Sequence, residues 1–222
     1  MTTMTTAQFE CCLCGGVSEQ TVIKSTSSFG APDLDTRPPE LQRSTIYNWV
    51  QRCPSCGYCS SDLSKGSDDL SEIVQSKEYQ SIIKNKEVSE IAGSFLAMSF
   101  QKEFMEKYAD SAWSVIHAAW ICDDEENWLK AKELRIKAIN LIEKAKEHTQ
   151  KLADQAGASE AITIDLMRRC GMFQEALDLA ELIKNGDDIE EVILRVISYE
   201  ISLIKLRDID VHTVSEALGE IN

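Results

Sequence analysis

Two CxxC pairs, each followed directly by glycine, constrain this chain more than any other feature: Cys11-Cys12-Leu13-Cys14-Gly15 and Cys53-Pro54-Ser55-Cys56-Gly57, with 38 residues between them. Two intervening residues let both sulfurs of a pair reach one cation. A glycine after the second Cys can take positive φ, so the chain doubles back and turns its backbone N–H groups toward the sulfurs. Pro54 presets φ at the start of the second turn. The pattern predicts one metal ion held by Cys11, Cys14, Cys53 and Cys56. Zinc in a structural role is expected, with iron as the alternative that the same four-sulfur cage accepts. Cys59 also forms a CxxC with Cys56 and could replace one ligand, although a small packing residue beside the site is the simpler reading. Cys12 has the wrong spacing and reads as a spare thiol.

Eight cysteines suit a disulfide framework only in a small exported chain, and the opening Met1-Thr2-Thr3-Met4-Thr5-Thr6 has neither a basic nor an apolar export signature. A reducing cytoplasm is therefore the expected location. The longest uncharged stretch of the helical part, 111–122, is too short to span a bilayer. The formal charge of −14 argues against nucleic acid and anionic lipid as partners. Residues 1–67 are near neutral, with five Lys/Arg and six Asp/Glu, whereas 68–222 carry 18 against 31. Basic proteins or peptides are the partners this balance favours.

Along the chain, 1–8 reads as a frayed Thr-rich tail. Segments 21–28 and 44–52, rich in Thr, Val, Ile, Tyr and Trp, read as strands, and 29–41, with Pro32, Pro38 and Pro39, as loop. Short strands, a loop and two knuckles make a zinc ribbon, here 9–62, too small to be stable without its metal. From residue 68 the texture is helical: proline is absent after Pro54, and apolar residues recur at three and four. Helices are expected at about 69–85 (capped by Asp69 and Glu72), 87–109, 111–123, 125–151, 158–170, 172–185 and 188–207. The stripe Trp128, Ala131, Leu134, Ala138, Leu141 and Ala145 should face the core, the helix at 188–207 should be largely buried, and Asn185-Gly186-Asp187-Asp188 should turn between the last two.

Gly171-Met172-Phe173-Gln174-Glu175-Ala176, continuing to Ala180, resembles the turn and second helix of a tetratricopeptide repeat, with a weaker copy 45 residues earlier around Trp128 and Ala131. The fold expected is mainly α, with a small N-terminal β-type zinc ribbon followed by a tetratricopeptide-like array of about seven helices over 68–222. Taken with Cys11, Cys14, the segment 32–39, the run from Cys53 to Tyr58 and Ala118-Ala119-Trp120, the whole resembles an uncharacterised bacterial family. In that family a CxxC…CPxCGY ribbon precedes tetratricopeptide-like helices. The resemblance implies a zinc ribbon fused to a helical array, with no established activity. Cys12 and Cys59 depart from the family pattern, which often has Pro and a small residue such as Ala there.

No catalytic constellation is legible. Cys122 and Cys170 lie in helical stretches and read as core residues. His117, His148 and His212 have no local partner set and read as packing or surface residues. Asp33 and Asp35 alternate in the proline loop and could hold a cation, but pairing with Arg37 or Arg43 to fix the loop is the simpler reading. The function expected is a non-catalytic, zinc-stabilised protein-interaction module. A thiol redox sensor or enzyme that releases zinc on CxxC oxidation is the alternative, and a nucleic-acid-binding ribbon ranks last.

Overall fold

The computed structural model describes residues 1–186 and 189–220. The Thr-rich start is not a frayed tail. Residues Thr3–Glu10 form strand β1, which pairs antiparallel with β2 (Val17–Ser25), Glu10 opposite Val17. Thr3, Thr5 and Thr6 are β-branched, and exposed and half-buried positions alternate along the run once it has a partner. The first CxxC pair sits at the tip of this hairpin.

The expected strand at 44–52 is mostly a 3-10 helix, Arg43–Asn48. Local hydrogen bonds offered the backbone another course: the Thr45 hydroxyl donates to the Gln42 carbonyl at 2.7 Å and accepts from Trp49 Nε1 at 2.8 Å. Only β3 (Gln51–Arg52) is extended, and it pairs antiparallel with β4 (Cys59–Ser60). The second CxxC pair caps that short hairpin, so the two halves of the cysteine pattern are built alike.

The rest is helical. The expected helix at 69–85 divides into α1 (Leu70–Gln75) and α2 (Lys77–Lys84). The division falls at Ser76, whose backbone is extended and whose hydroxyl accepts from Tyr79 N and donates to Ile73 O. Asp69 makes no side-chain cap bond. Then follow α3 (Glu90–Phe104), α4 (Tyr108–Asp124), α5 (Trp128–Glu147), α6 (Ala158–Arg169), α7 (Phe173–Lys184) and α8 (Glu191–Leu206). A short α9 (Val214–Leu218), closed by a Thr213–Glu216 capping box, was not anticipated. The expected turn at 185–188 ends on residues outside those described.

Helix α4 is the centre of the stack, packed on α3 and α5. Its Ala112, Ala118 and Ala119 let those neighbours come close, while Val115, Ile116, Trp120 and Ile121 fill the space between, all buried. Helices α6, α7 and α8 pack on one another beyond α5. Along α5, Ala131, Leu134, Ala138, Leu141 and Ala145 face the core as expected, but Trp128 does not. It begins α5 beside the 80% exposed Leu129 and is itself 61% exposed. On α8 burial is limited to one side, through Ile193, Val196, Ile197, Leu203 and Ile204. The hydrophobic core runs from Cys11 to Ile204 and takes in Leu34, Ile46, Val50, Tyr58 and Leu63 of the N-terminal part. No helix among the described residues is long and apolar enough to cross a membrane.

Candidate metal centre

The two knuckles are the same object built twice. In the first, Cys11 N donates to Gly16 O at 2.9 Å and Gly15 N to Cys11 O at 2.8 Å; in the second, Cys53 N donates to Tyr58 O at 2.8 Å and Gly57 N to Cys53 O at 2.9 Å. Gly15 and Gly57 have φ of 68° and 82°, the left-handed turn that the glycines were expected to supply. Gly16 has a different task. A Cβ there would lie 2.7 Å from Ser55 Oγ and 3.3 Å from Cys14 Sγ, so its bare backbone lets the knuckles meet.

They meet through sulfur. Cys11 Sγ lies 3.8 Å from Cys56 Sγ, Cys14 Sγ lies 3.6 Å from Cys53 Sγ, and all four sulfurs fall within 4.8 Å of one another. A tetrahedral ion with metal–sulfur bonds of about 2.3 Å needs its ligands about 3.8 Å apart. The donor set therefore fits a metal, and the four cysteines could hold one between them. Burial pushes the Cys11 and Cys56 thiols up, and neighbouring sulfurs add to it. Burial acts the same way on Cys53, but the backbone N–H groups of Cys56 and Ser55 and the nearby thiols outweigh it and bring that group down to about 7.

Around this cage the helices grip the second knuckle. Tyr79 of α2 donates its hydroxyl to Gly57 O at 2.9 Å, and Gln80 Nε2 reaches Cys56 O at 3.3 Å. Gln101 of α3 donates to the Tyr79 hydroxyl at 2.8 Å and to Cys59 O at 3.2 Å. These supporting residues escaped sequence reasoning because nothing in linear spacing connects position 79 or 101 to a turn at 57. Cys59 is fully buried outside the cage, its thiol donating to Gly57 O and pushed up to about 11 by burial. Cys12 is exposed, and Cys122 and Cys170 are buried with thiols raised to about 11.

A family model described as "Uncharacterized protein conserved in bacteria (DUF2225)" matches residues 4–197. The chain belongs to that family. The DUF2225 match spans both CxxC hairpins and the helices through the first seven residues of α8. No curated protein and no solved structure matches this DUF2225 chain.

The acidic loop of this DUF2225 protein is neutralised by arginine. Asp33 pairs with Arg43 at 2.5 Å. Asp35, wholly buried, accepts from Trp120 Nε1 at 2.7 Å, from the Arg37 backbone N at 3.2 Å and from Arg169 at 3.3 Å. Arg169 goes on to Asp123 at 2.9 Å, which also pairs with Arg135, while Arg37 pairs with Asp124 at 2.6 Å. The loop thus joins α4 and α6 through a buried charge network. It also meets the C-terminal segment, where Leu34 N donates to His212 O and Val214 N to Pro32 O, both at 2.9 Å. Of the histidines, His117 packs among aromatic rings, His148 lies against Tyr108, and His212 is bonded to Asp208 and Glu216.

Proposed function

We propose that the protein is a non-catalytic interaction module in which one structural zinc clasps Cys11, Cys14, Cys53 and Cys56 and the helices carry a surface for a protein partner. The observation that carries the reading is the convergence of four sulfurs with metal spacing. Four thiolates fill a tetrahedral shell and leave no position for water or substrate, which favours a structural over a hydrolytic metal. Zinc is preferred to iron because a closed-shell ion suits a role in shape alone.

For the partner surface, Trp128 and Leu129 at the start of α5 are 61% and 80% exposed, and with Ile209 and Val211 they line a cleft of about 420 Å³. Large aromatic and aliphatic side chains around a depression are suited to apolar anchors. The acidic surplus of 68–222 favours basic residues flanking those anchors.

Elemental analysis of protein purified under reducing conditions should find one zinc per chain, lost in Cys53→Ser and kept in Cys122→Ser. On an array of peptides with apolar anchors and basic flanks, binding should weaken with salt and disappear in a Trp128→Ala, Leu129→Ala double variant that keeps its zinc. Absence of stoichiometric metal would overturn the clasp, and equal peptide binding by that variant would overturn the surface.

A further inference from the structure

A second cleft, of about 600 Å³, lies where the second CxxC hairpin meets α3 and α4. Trp49, Phe95 and Met98 give it apolar walls, and His117 and Lys102 supply polar groups.

The His117 ring is caged by aromatic rings, with centroids 5.2 Å from Trp49, 5.3 Å from Phe95 and 5.0 Å from Trp120. Among the described residues neither of its ring nitrogens has a hydrogen-bond partner. Burial, aided by the Lys102 charge, holds the imidazole at about 3, hence neutral at physiological pH, with one N–H donor and one acceptor nitrogen. Lys102 is half-buried, and its ammonium donates to Ser114 Oγ at 3.1 Å and to the Asp110 carbonyl at 3.3 Å. Both are uncharged oxygens, and no carboxylate lies within ion-pair distance of Lys102 among the described residues. Burial lowers the pKa of this ammonium and the Asp110 carboxylate, beyond ion-pair distance, offsets only part of that, so a direct counter-ion would add to the compensation.

The charge of the lining runs against that of the chain. Lys65, Lys102 and Lys107 border the cleft, with Asp110 as the acid among them. Lys65 is paired with Asp62 at 3.1 Å, which leaves Lys102 and Lys107 against Asp110, a local excess of one positive charge in a molecule of net charge −14. Mostly apolar walls with a few convergent polar groups, set where two substructures meet, are the usual form of a small-molecule site.

We propose that this cleft binds a small organic anion, a carboxylate or phosphate monoester on an aromatic body, with Lys102 and His117 holding the anionic group and Trp49, Phe95 and Met98 covering the ring. The anion supplies the close ion pair that Ser114, the Asp110 carbonyl and the more distant Asp110 carboxylate do not. The site stands apart from the Trp128 cleft and does not depend on a protein partner.

The test is calorimetric titration of the metal-loaded full chain, read in parallel by tryptophan fluorescence, with phenyl phosphate, phenylacetate and uncharged phenylacetamide as probes. At least one anion should bind saturably, the amide should bind at least about tenfold more weakly, and Lys102→Gln should lose about tenfold or more in affinity while Lys102→Arg keeps it. Which anion binds separates a phosphate from a carboxylate ligand. Gln preserves a donor for Ser114 and the Asp110 carbonyl, so a lysine that merely fastens α3 to α4 would leave probe affinity unchanged in that variant. Should Lys102→Gln fail to fold, His117→Phe, which keeps the ring packing and removes both nitrogens, is read in its place with the same expected loss. Equal binding of amide and anions, unchanged affinity in the folded variant, or no saturable binding of any probe at millimolar concentration would overturn the proposal.

Discussion

Glu200 lies wholly buried on α8, and neither carboxylate oxygen has a hydrogen-bond partner among the described residues. Burial pushes its pKa well above 4.5, Asp165 pushes it further, and Arg168, engaged with Asp165 at 2.7 Å, opposes only in part. The folded chain therefore keeps a proton that the unfolded chain releases near pH 4.5. By linkage this residue takes stability away as pH rises above 4.5 and takes none below it. Glu200→Met, similar in volume and without an unpaired polar group, should stabilise the fold at pH 8 by about 1–3 kcal/mol. The gain should shrink as pH falls toward 4.5, as thermal unfolding across that range will report. A variant less stable than the parent at pH 8 would contradict the account. Sequence reading passed over Glu200 because an acid in a helical run looks solvated until its neighbours are known. The cysteines were legible for the opposite reason: the four-sulfur chemistry is written in local spacing, and each knuckle closes on itself.

Among the elements, the helices were legible and the first strand was not. Apolar periodicity located α3 to α8, since a helix makes its own hydrogen bonds and declares its buried face every three or four residues. Strand β1 depends on β2 for every ladder bond, so its Thr-rich sequence looked like a tail. The 3-10 helix at Arg43–Asn48 was read as strand because its β-branched and aromatic residues favour one, until Thr45 bonded to Gln42 and Trp49. Helix α2 shows how an element can serve a distant turn: with Ser76 setting its start, Tyr79 arrives at Gly57 O and receives Gln101. Tyr79→Phe should cost about 2 kcal/mol from two lost buried hydrogen bonds and speed metal release to a chelator by about tenfold, since supporting residues of this kind hold ligands in place. Release at the parental rate would show that α2 packs against the knuckle without bracing it.

At the scale of the whole molecule, one core runs through both the cysteine hairpins and the helical stack. Under the proposed clasp, stripping the metal under reducing conditions should therefore lower the melting temperature of the entire chain while leaving most of the far-ultraviolet helical signal at low temperature. Added zinc should restore the lost stability. A melting temperature indifferent to the chelator would separate the cage from the stack.

The proline loop has a consequence for anyone who would borrow this ribbon. Asp35 is answered by Arg169 and Trp120, Arg37 by Asp124, and Leu34 by the backbone at His212, all far along the chain. Severed near residue 68 and grafted elsewhere, the cysteine hairpins would keep their four sulfurs but lose Tyr79, Gln80 and Gln101, which hold the second knuckle. The segment joining them would surrender its anchors to solvent, so the unit is not portable in the way a free-standing zinc finger is.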